Sequence, residues 1–285
     1  ARAAGNIEQV DLNMIRVLLV DDSPITLHLL LHLLARTPDI QVVGTAGNGH
    51  EALTLLPTLN PDVICTDLHM PVMDGLVLTR VVMQSSPRPI LVVSTSVEPG
   101  SPNIFRLLAA GAVDIYPKPR GILEADQDKT AGELAGKIRI VAGVHVIRRT
   151  KPAVHPPPPL PAPASSSSPV HMVAIGASTG GPQALRELLM HLPAGFPVPL
   201  VCVQHIGEDF LQSMVAWLAE VTPLSVSTAA QGELPQAGSV YFAPGGAHLE
   251  FDKRGRFTLT GAPPCDGHRP SASVRRSGDT SVTVP

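Results

Sequence analysis

Between Met14 and Pro119 the chain alternates short apolar runs with stretches of helical spacing. The runs Ile15 to Val20, Ile40 to Gly44, Val63 to Thr66, Ile90 to Val93 and Val113 to Tyr116 have the length and side chains of strands. Helices fit between them. The first begins at Ser23-Pro24, a capping residue followed by proline at the first helical position, and runs through Leu33. This alternation predicts a parallel sheet covered by helices on both faces, with ligands bound beyond the carboxyl ends of its strands.

A second pattern of the same kind starts near Val170. The run Val173-Ala174-Ile175 reads as a strand that ends in Gly176-Ala177-Ser178-Thr179-Gly180-Gly181, and Pro182 to Leu189 read as the first turns of a helix. Ser178 therefore falls at a helix N-terminus, where free N–H groups and the positive end of the dipole stabilise negative charge on a nearby oxygen. The same turn also suits close strand–helix packing or a bound phosphate, and the glycine pattern alone leaves these open. A further apolar run, Val198 to Val203, ends in Gln204-His205, so His205 emerges at the same end of the sheet. An imidazole there can take the proton of a serine hydroxyl. Later, Gly238 to Phe242 reads as a strand, and Leu249 to Phe251 with Arg256 to Leu259 predict a hairpin around Asp252-Lys253-Arg254-Gly255. His248 reads as a turn residue on its shoulder, with a second histidine of the site as the alternative. Arg269 suits either an anionic substrate group or solvent. After Ser271 both periodicities fade, and the rest reads as an unrelated tail.

A break in composition separates the two patterns. From Thr150 to Pro169 the chain is rich in proline and then serine, a spacer that is stiff in its first half and loose in its second. The units expected are 14–145, a linker 146–169, and 170–285. A hydrophobic content of 44% with 16% charged residues supports packed cores rather than disorder. A net charge of −3 and 3% aromatic residues give no basis for nucleic-acid binding. Cys65, Cys202 and Cys265 form neither a disulfide framework nor a zinc pattern, and the first two lie in apolar runs, which points to a reducing cytoplasm. No apolar run approaches the roughly 20 residues that span a bilayer, so no membrane insertion is expected.

The charged residues of the first unit converge on one sheet edge. Asp21 and Asp22 follow the first strand, Asp67 ends the third, Ser94 the fourth, and Lys118 follows the fifth. Carboxylates so gathered repel one another, and a hard cation such as Mg²⁺ is the expected counter-charge. With charge neutralised by the metal and Lys118, one carboxylate can attack a phosphorus atom and become an acyl phosphate that Ser94 hydrogen-bonds.

Val20-Asp21-Asp22-Ser23, Asp67 with Met70-Pro71-Val72-Met73-Asp74-Gly75, Ser94 and Lys118-Pro119 resemble the receiver domain of two-component response regulators. The resemblance implies Asp67 as phospho-acceptor, Asp21, Asp22 and Asp67 around Mg²⁺ with the His69 carbonyl, Ser94 and Lys118 sensing the phosphoryl group, and a histidine kinase as donor. Tyr116 suits either the family's switch aromatic or a half-buried strand residue. Ile175 to Pro182, Gln204-His205, Ala243-Pro244-Gly245 with His248-Leu249, and Gly267-His268-Arg269-Pro270-Ser271 resemble the catalytic domain of the chemotaxis-type protein-glutamate methylesterases, the CheB family.

That second resemblance implies a flavodoxin-like receiver with a five-stranded parallel sheet, followed by a doubly wound α/β methylesterase domain, truncated. It implies Ser178 as nucleophile and His205 as general base, with Thr179 and Arg269 as auxiliaries, no cofactor for the ester step, and methylated chemoreceptor cytoplasmic domains as substrate. Deamidation of receptor glutamines is also implied. The family's orienting aspartate, in a glycine-rich motif preceded by methionine, has no counterpart after Ser271, and neither Asp266 nor Asp279 matches it. The expectation is a phosphorylatable receiver with weak esterase turnover, lower by on the order of 10⁴ if the protease case applies. The alternative is a catalytically weak or inactive regulator whose phosphorylation switches a protein-binding surface.

Overall fold

The computed structural model describes residues 14–95, 103–119, 124–146, 170–261, 273–276 and 280–283. The first unit runs β1 (Ile15–Val20), α1 (Pro24–Leu34), β2 (Ile40–Ala46), α2 (Gly49–Leu59), β3 (Val63–Thr66), α3 (Gly75–Ser85), β4 (Ile90–Ser94), α4 (Asn103–Ala110), β5 (Asp114–Pro117) and α5 (Glu124–Ala142). Its five strands form one parallel sheet in the order β2-β1-β3-β4-β5. The strands are mostly apolar because both faces are covered, and β3 and β4 are buried at every position. The Ser23 hydroxyl accepts from the Thr26 amide and Pro24 opens α1, as its sequence predicts.

The second unit has a parallel sheet in the order β6-β7-β9-β8, from β6 (Val173–Ala177), β7 (Leu200–Gln204), β8 (Ser225–Thr228) and β9 (Ser239–Phe242). Helix α6 (Gly181–Met190) joins β6 to β7, and α7 (Glu208–Val221) follows β7. The hairpin expected around Asp252 is present as β10 (His248–Phe251) and β11 (Phe257–Thr260).

Two expectations are corrected here. His248 is not a turn residue: it opens β10 opposite Thr260 and is buried. The tail is not featureless either, since β12 (Ser273–Arg276) and β13 (Thr280–Thr283) pair antiparallel, and Phe251 pairs with Arg276 to join them to β10. Among the described residues no helix is long and apolar enough to cross a membrane.

The two units share a packed boundary. Phe105 of α4, fully buried, stacks on Trp217 of α7 with ring centroids 5.3 Å apart. One continuous buried cluster runs from Ile64 and Val92 through Leu108 to Leu185, Cys202 and Phe242.

Candidate functional sites

The acid pocket forms where β1, β3, β4 and β5 end side by side. Asp21 and Asp67 are held by the sheet itself: the Asp21 amide donates to the Ala46 carbonyl (3.0 Å) and the Asp67 amide to the Val20 carbonyl (2.9 Å). The Asp21 carboxylate accepts from the Ser23 amide and that of Asp67 from the Leu68 amide. Carboxylate oxygens of Asp21, Asp22 and Asp67 lie within 4.8 Å of one another. The Lys118 ammonium bridges the two buried acids, at 2.6 Å from Asp21 and 2.9 Å from Asp67. Burial raises the Asp21 carboxyl above its usual range against the opposing pull of the Lys118 hydrogen bond. Burial alone would lower Lys118, but its bonds to Asp21 and Asp67 outweigh that and raise it, keeping the ammonium charged.

Ser94 is buried at the end of β4, and its carbonyl accepts from the Lys118 amide at 2.7 Å. Asp22, His69, Met70, Pro71 and Asp74 line the mouth of the pocket. At its rim Val72, 87% exposed, has φ of 67°, a left-handed conformation strained for a β-branched residue. Tyr116 is buried rather than half-buried. Burial, reinforced by Glu133, pushes its phenol up to about 12. Cys65 and Cys202 are buried thiols pushed up to about 12 by desolvation, so they pack as small apolar groups.

In the second unit the ends of β6 and β7 are in register, Ala177 opposite Gln204, so Ser178 and His205 leave the sheet as neighbours. The His205 amide donates to the Ala177 carbonyl at 2.9 Å, and both Ser178 and His205 are exposed. Gly180 caps α6 with φ of 75° and no side-chain bond to the first turn, which leaves helix N–H groups beside the serine free of any side-chain cap. That arrangement gives a hydroxyl, an imidazole and a positive helix end at one sheet edge, the elements of acyl transfer. Arg269, Asp266, Asp279 and Cys265 lie outside the described residues.

Several residues that pattern reading passed over meet at the boundary between the units. Lys137 of α5 pairs with Asp114 at 2.8 Å and lies 3.5 Å from the Thr179 hydroxyl, beside Ser178. The Gln183 carboxamide donates to the Leu108 and Ala112 carbonyls, at and just past the end of α4. A cavity of about 300 Å³ lies here, lined by Met83, Gly111, Val113, His145, Gly180 and Gln183 among others. The only advance signal was polarity on faces that pattern alone assigns to solvent.

An acid pocket bridged by a lysine, joined in one chain to an α/β unit with a serine and a histidine at adjacent strand ends, is the arrangement expected of a response regulator with a hydrolase output. The model of the response regulator receiver domain matches residues 17–125, and that of the CheB methylesterase matches 173–276. The chain is 41% identical over 270 residues to a protein-glutamate methylesterase/protein-glutamine glutaminase of Methanospirillum hungatei, covering 91% of this chain and 76% of that protein. It is 40% identical over 267 residues to that of Nitrosospira multiformis, covering 91% and 75%. The response regulator domain of Thermotoga maritima CheB is 36% identical and covers 46% of this chain and 98% of its own, with a TM-score of 0.42. The chain belongs to the protein-glutamate methylesterase/protein-glutamine glutaminase family.

Proposed function

We propose that this protein hydrolyses glutamate methyl esters, and deamidates glutamines, on the cytoplasmic domains of chemoreceptors, and that a histidine kinase controls it through Asp67. The observation that carries the ester chemistry is the register of β6 and β7, which sets Ser178 and His205 side by side at the N-terminus of α6. In the proposed reaction His205 removes the Ser178 proton as Oγ attacks the ester carbonyl. The helix N-terminus stabilises the developing oxyanion, methanol leaves carrying a proton returned by the imidazole, and water then hydrolyses the acyl-serine. Thr179 and Arg269 are proposed auxiliaries, and the ester step needs no cofactor.

On the receiver side Asp67 is the proposed phospho-acceptor, with Ser94 and Lys118 binding the phosphoryl oxygens. The donor set of Asp21, Asp22 and Asp67 is all oxygen and closely spaced, which fits Mg²⁺. When bound, the ion supplies positive charge to the phosphoryl oxygens during transfer. The chain's own residues hold Asp67 at the strand end and keep Lys118 within reach of its carboxylate. The proposed units are 14–145, 146–169 and 170–285, in a cytoplasmic protein. The contacts of Lys137 with Thr179, and of Gln183 with α4, support control by occlusion: the unmodified receiver restricts approach to the serine turn, and phosphorylation weakens that boundary.

The test is methanol release from a methylated receptor cytoplasmic fragment, with and without a phosphoryl donor. Ser178→Ala should remove the release, and Asp67→Asn should remove its dependence on the donor. Equal release from parent and Ser178→Ala would refute the enzyme reading and leave a phosphorylation-switched binding module.

A further inference from the structure

Gln204 closes β7, a strand whose other residues are Leu200, Val201, Cys202 and Val203, and it is only 4% exposed. A buried carboxamide is costly unless its polar atoms are bonded, and an apolar side chain of similar size would avoid that cost. Its amide nitrogen uses both hydrogens, donating to the Ser178 carbonyl at 2.8 Å and to the His205 carbonyl at 3.2 Å. The Ser178 carbonyl also accepts from the Gly181 amide at 2.8 Å, so that peptide is held from two sides. The amide oxygen, by contrast, is buried with no hydrogen-bond partner among the described residues. It lies against Gly181, where a Cβ would stand 2.0 Å from it and 2.8 Å from the amide carbon. With two carbonyls on one side, only the nitrogen can face them, which fixes the amide orientation.

We propose that Gln204 is a positioning residue that ties the Ser178 turn to the His205 loop, with Gly181 left bare to admit its carboxamide. The proposal rests on Ser178 and His205 being nucleophile and base. The orphaned oxygen points to a role beyond packing, because the chain keeps the amide for its two donors while leaving its acceptor unpaired. A role in positioning also accounts for the glycine. At the first turn of α6 alanine would favour the helix, yet its methyl group would displace the amide.

The experiment measures the rate at which a fluorophosphonate labels Ser178 in the full chain, as a function of pH, with folding followed by circular dichroism. Gln204→Leu keeps bulk and removes both donors. It should slow labelling about 10- to 100-fold and move the inflection of the pH–rate profile, which a merely structural residue would leave in place. Gly181→Ala keeps the glutamine but forces it aside, so it should act in the same direction and serves if Gln204→Leu does not fold. In a Gln204→Ala background Gly181→Ala should cost less than about twofold more, because the two changes remove one arrangement. Parental rate and inflection in folded Gln204→Leu would overturn the proposal, as would full multiplication of the Gly181→Ala and Gln204→Ala penalties. Absence of Ser178-dependent labelling in the parent would overturn the nucleophile reading and this proposal with it. Parental labelling that ignores both positions overturns this proposal alone.

Discussion

Gly75→Ala should cripple phosphorylation of a carboxylate it does not touch. Gly75 follows Asp74, the N-cap of α3, and its amide donates to the Leu68 carbonyl at 2.9 Å. A Cβ there would stand 2.1 Å from the Asp67 carbonyl oxygen, about 1.3 Å short of the 3.4 Å at which ordinary contact begins. It would also meet Asp67 C at 3.1 Å and Leu68 Cα at 3.2 Å. All three are backbone atoms, so no rotamer change relieves the overlap. Alanine brings up to about 1 kcal/mol of helix propensity, against about 1–3 kcal/mol for forcing a methyl group into a packed site, so the clash should win. Because the displaced peptide is that of Asp67, the proposed acceptor should shift by on the order of 1 Å, which costs about 100-fold in rate. The assay is acyl-phosphate formation from acetyl phosphate, followed on a phosphate-affinity gel, with urea unfolding alongside. Gly132→Ala on α5 is the control, since its Cβ would meet nothing within 4 Å, and it should leave phosphorylation unchanged. Parental phosphorylation and stability in Gly75→Ala would refute the reasoning.

Two further outcomes are expected. Phe105→Ala removes the ring stacked on Trp217, so it should red-shift Trp217 emission, destabilise by about 3–5 kcal/mol and speed phosphonate labelling of Ser178 without a phosphoryl donor; unchanged emission and labelling in a folded variant would refute this. The Arg139 hydrogen bond holds Asp39 below its usual 3.8, so this pair stabilises the fold above that pH and loses its contribution as pH falls through the depressed value. Both groups are partly solvated, so Arg139→Gln should cost under about 1 kcal/mol at neutral pH and nothing in strong acid, and an equal cost at both in urea unfolding would contradict it.

The acid pocket was legible because its residues sit at strand ends, where a local pattern also fixes their place in the sheet. Ser23-Pro24 and the hairpin around Asp252 were legible for the same reason: their signals span a few consecutive residues. The strand β8 gave almost none, since Ser225-Val226-Ser227-Thr228 lies at a sheet edge and none of its four side chains is fully buried. The tail strands β12 and β13 depend on each other and on β10, a pairing that periodicity within either segment does not reveal. Lys137 and Gln183 carry opposite lessons to the apolar positions. Each is a polar residue on a helix, which pattern assigns to water: Lys137 is held by Asp114 of its own sheet and reaches Thr179 of the second unit, and Gln183 bonds to carbonyls of the first, partners distant in sequence.

The make-up of that boundary sets what a phosphoryl switch must supply under the proposed occlusion. The two bonds from Gln183 end on carbonyls at and just past the C-terminus of α4, which water can satisfy once the units part, so each contributes about 0.5–1.5 kcal/mol. The aromatic stack contributes more than these bonds, inside an apolar cluster that also joins Leu108 to Leu185. If separation uncovers about half the surface that each ring buries, roughly 150–250 Å² is exposed, at a cost of about 4–6 kcal/mol. Moving a closed population from 99:1 to 1:99 takes about 5.5 kcal/mol of differential interaction, the same order as the stack alone. Phe105 follows Ser94 on the next helix, and Asp114 lies on the strand that leads to Lys118, so the elements that would sense the phosphoryl group also carry the contacts it must loosen.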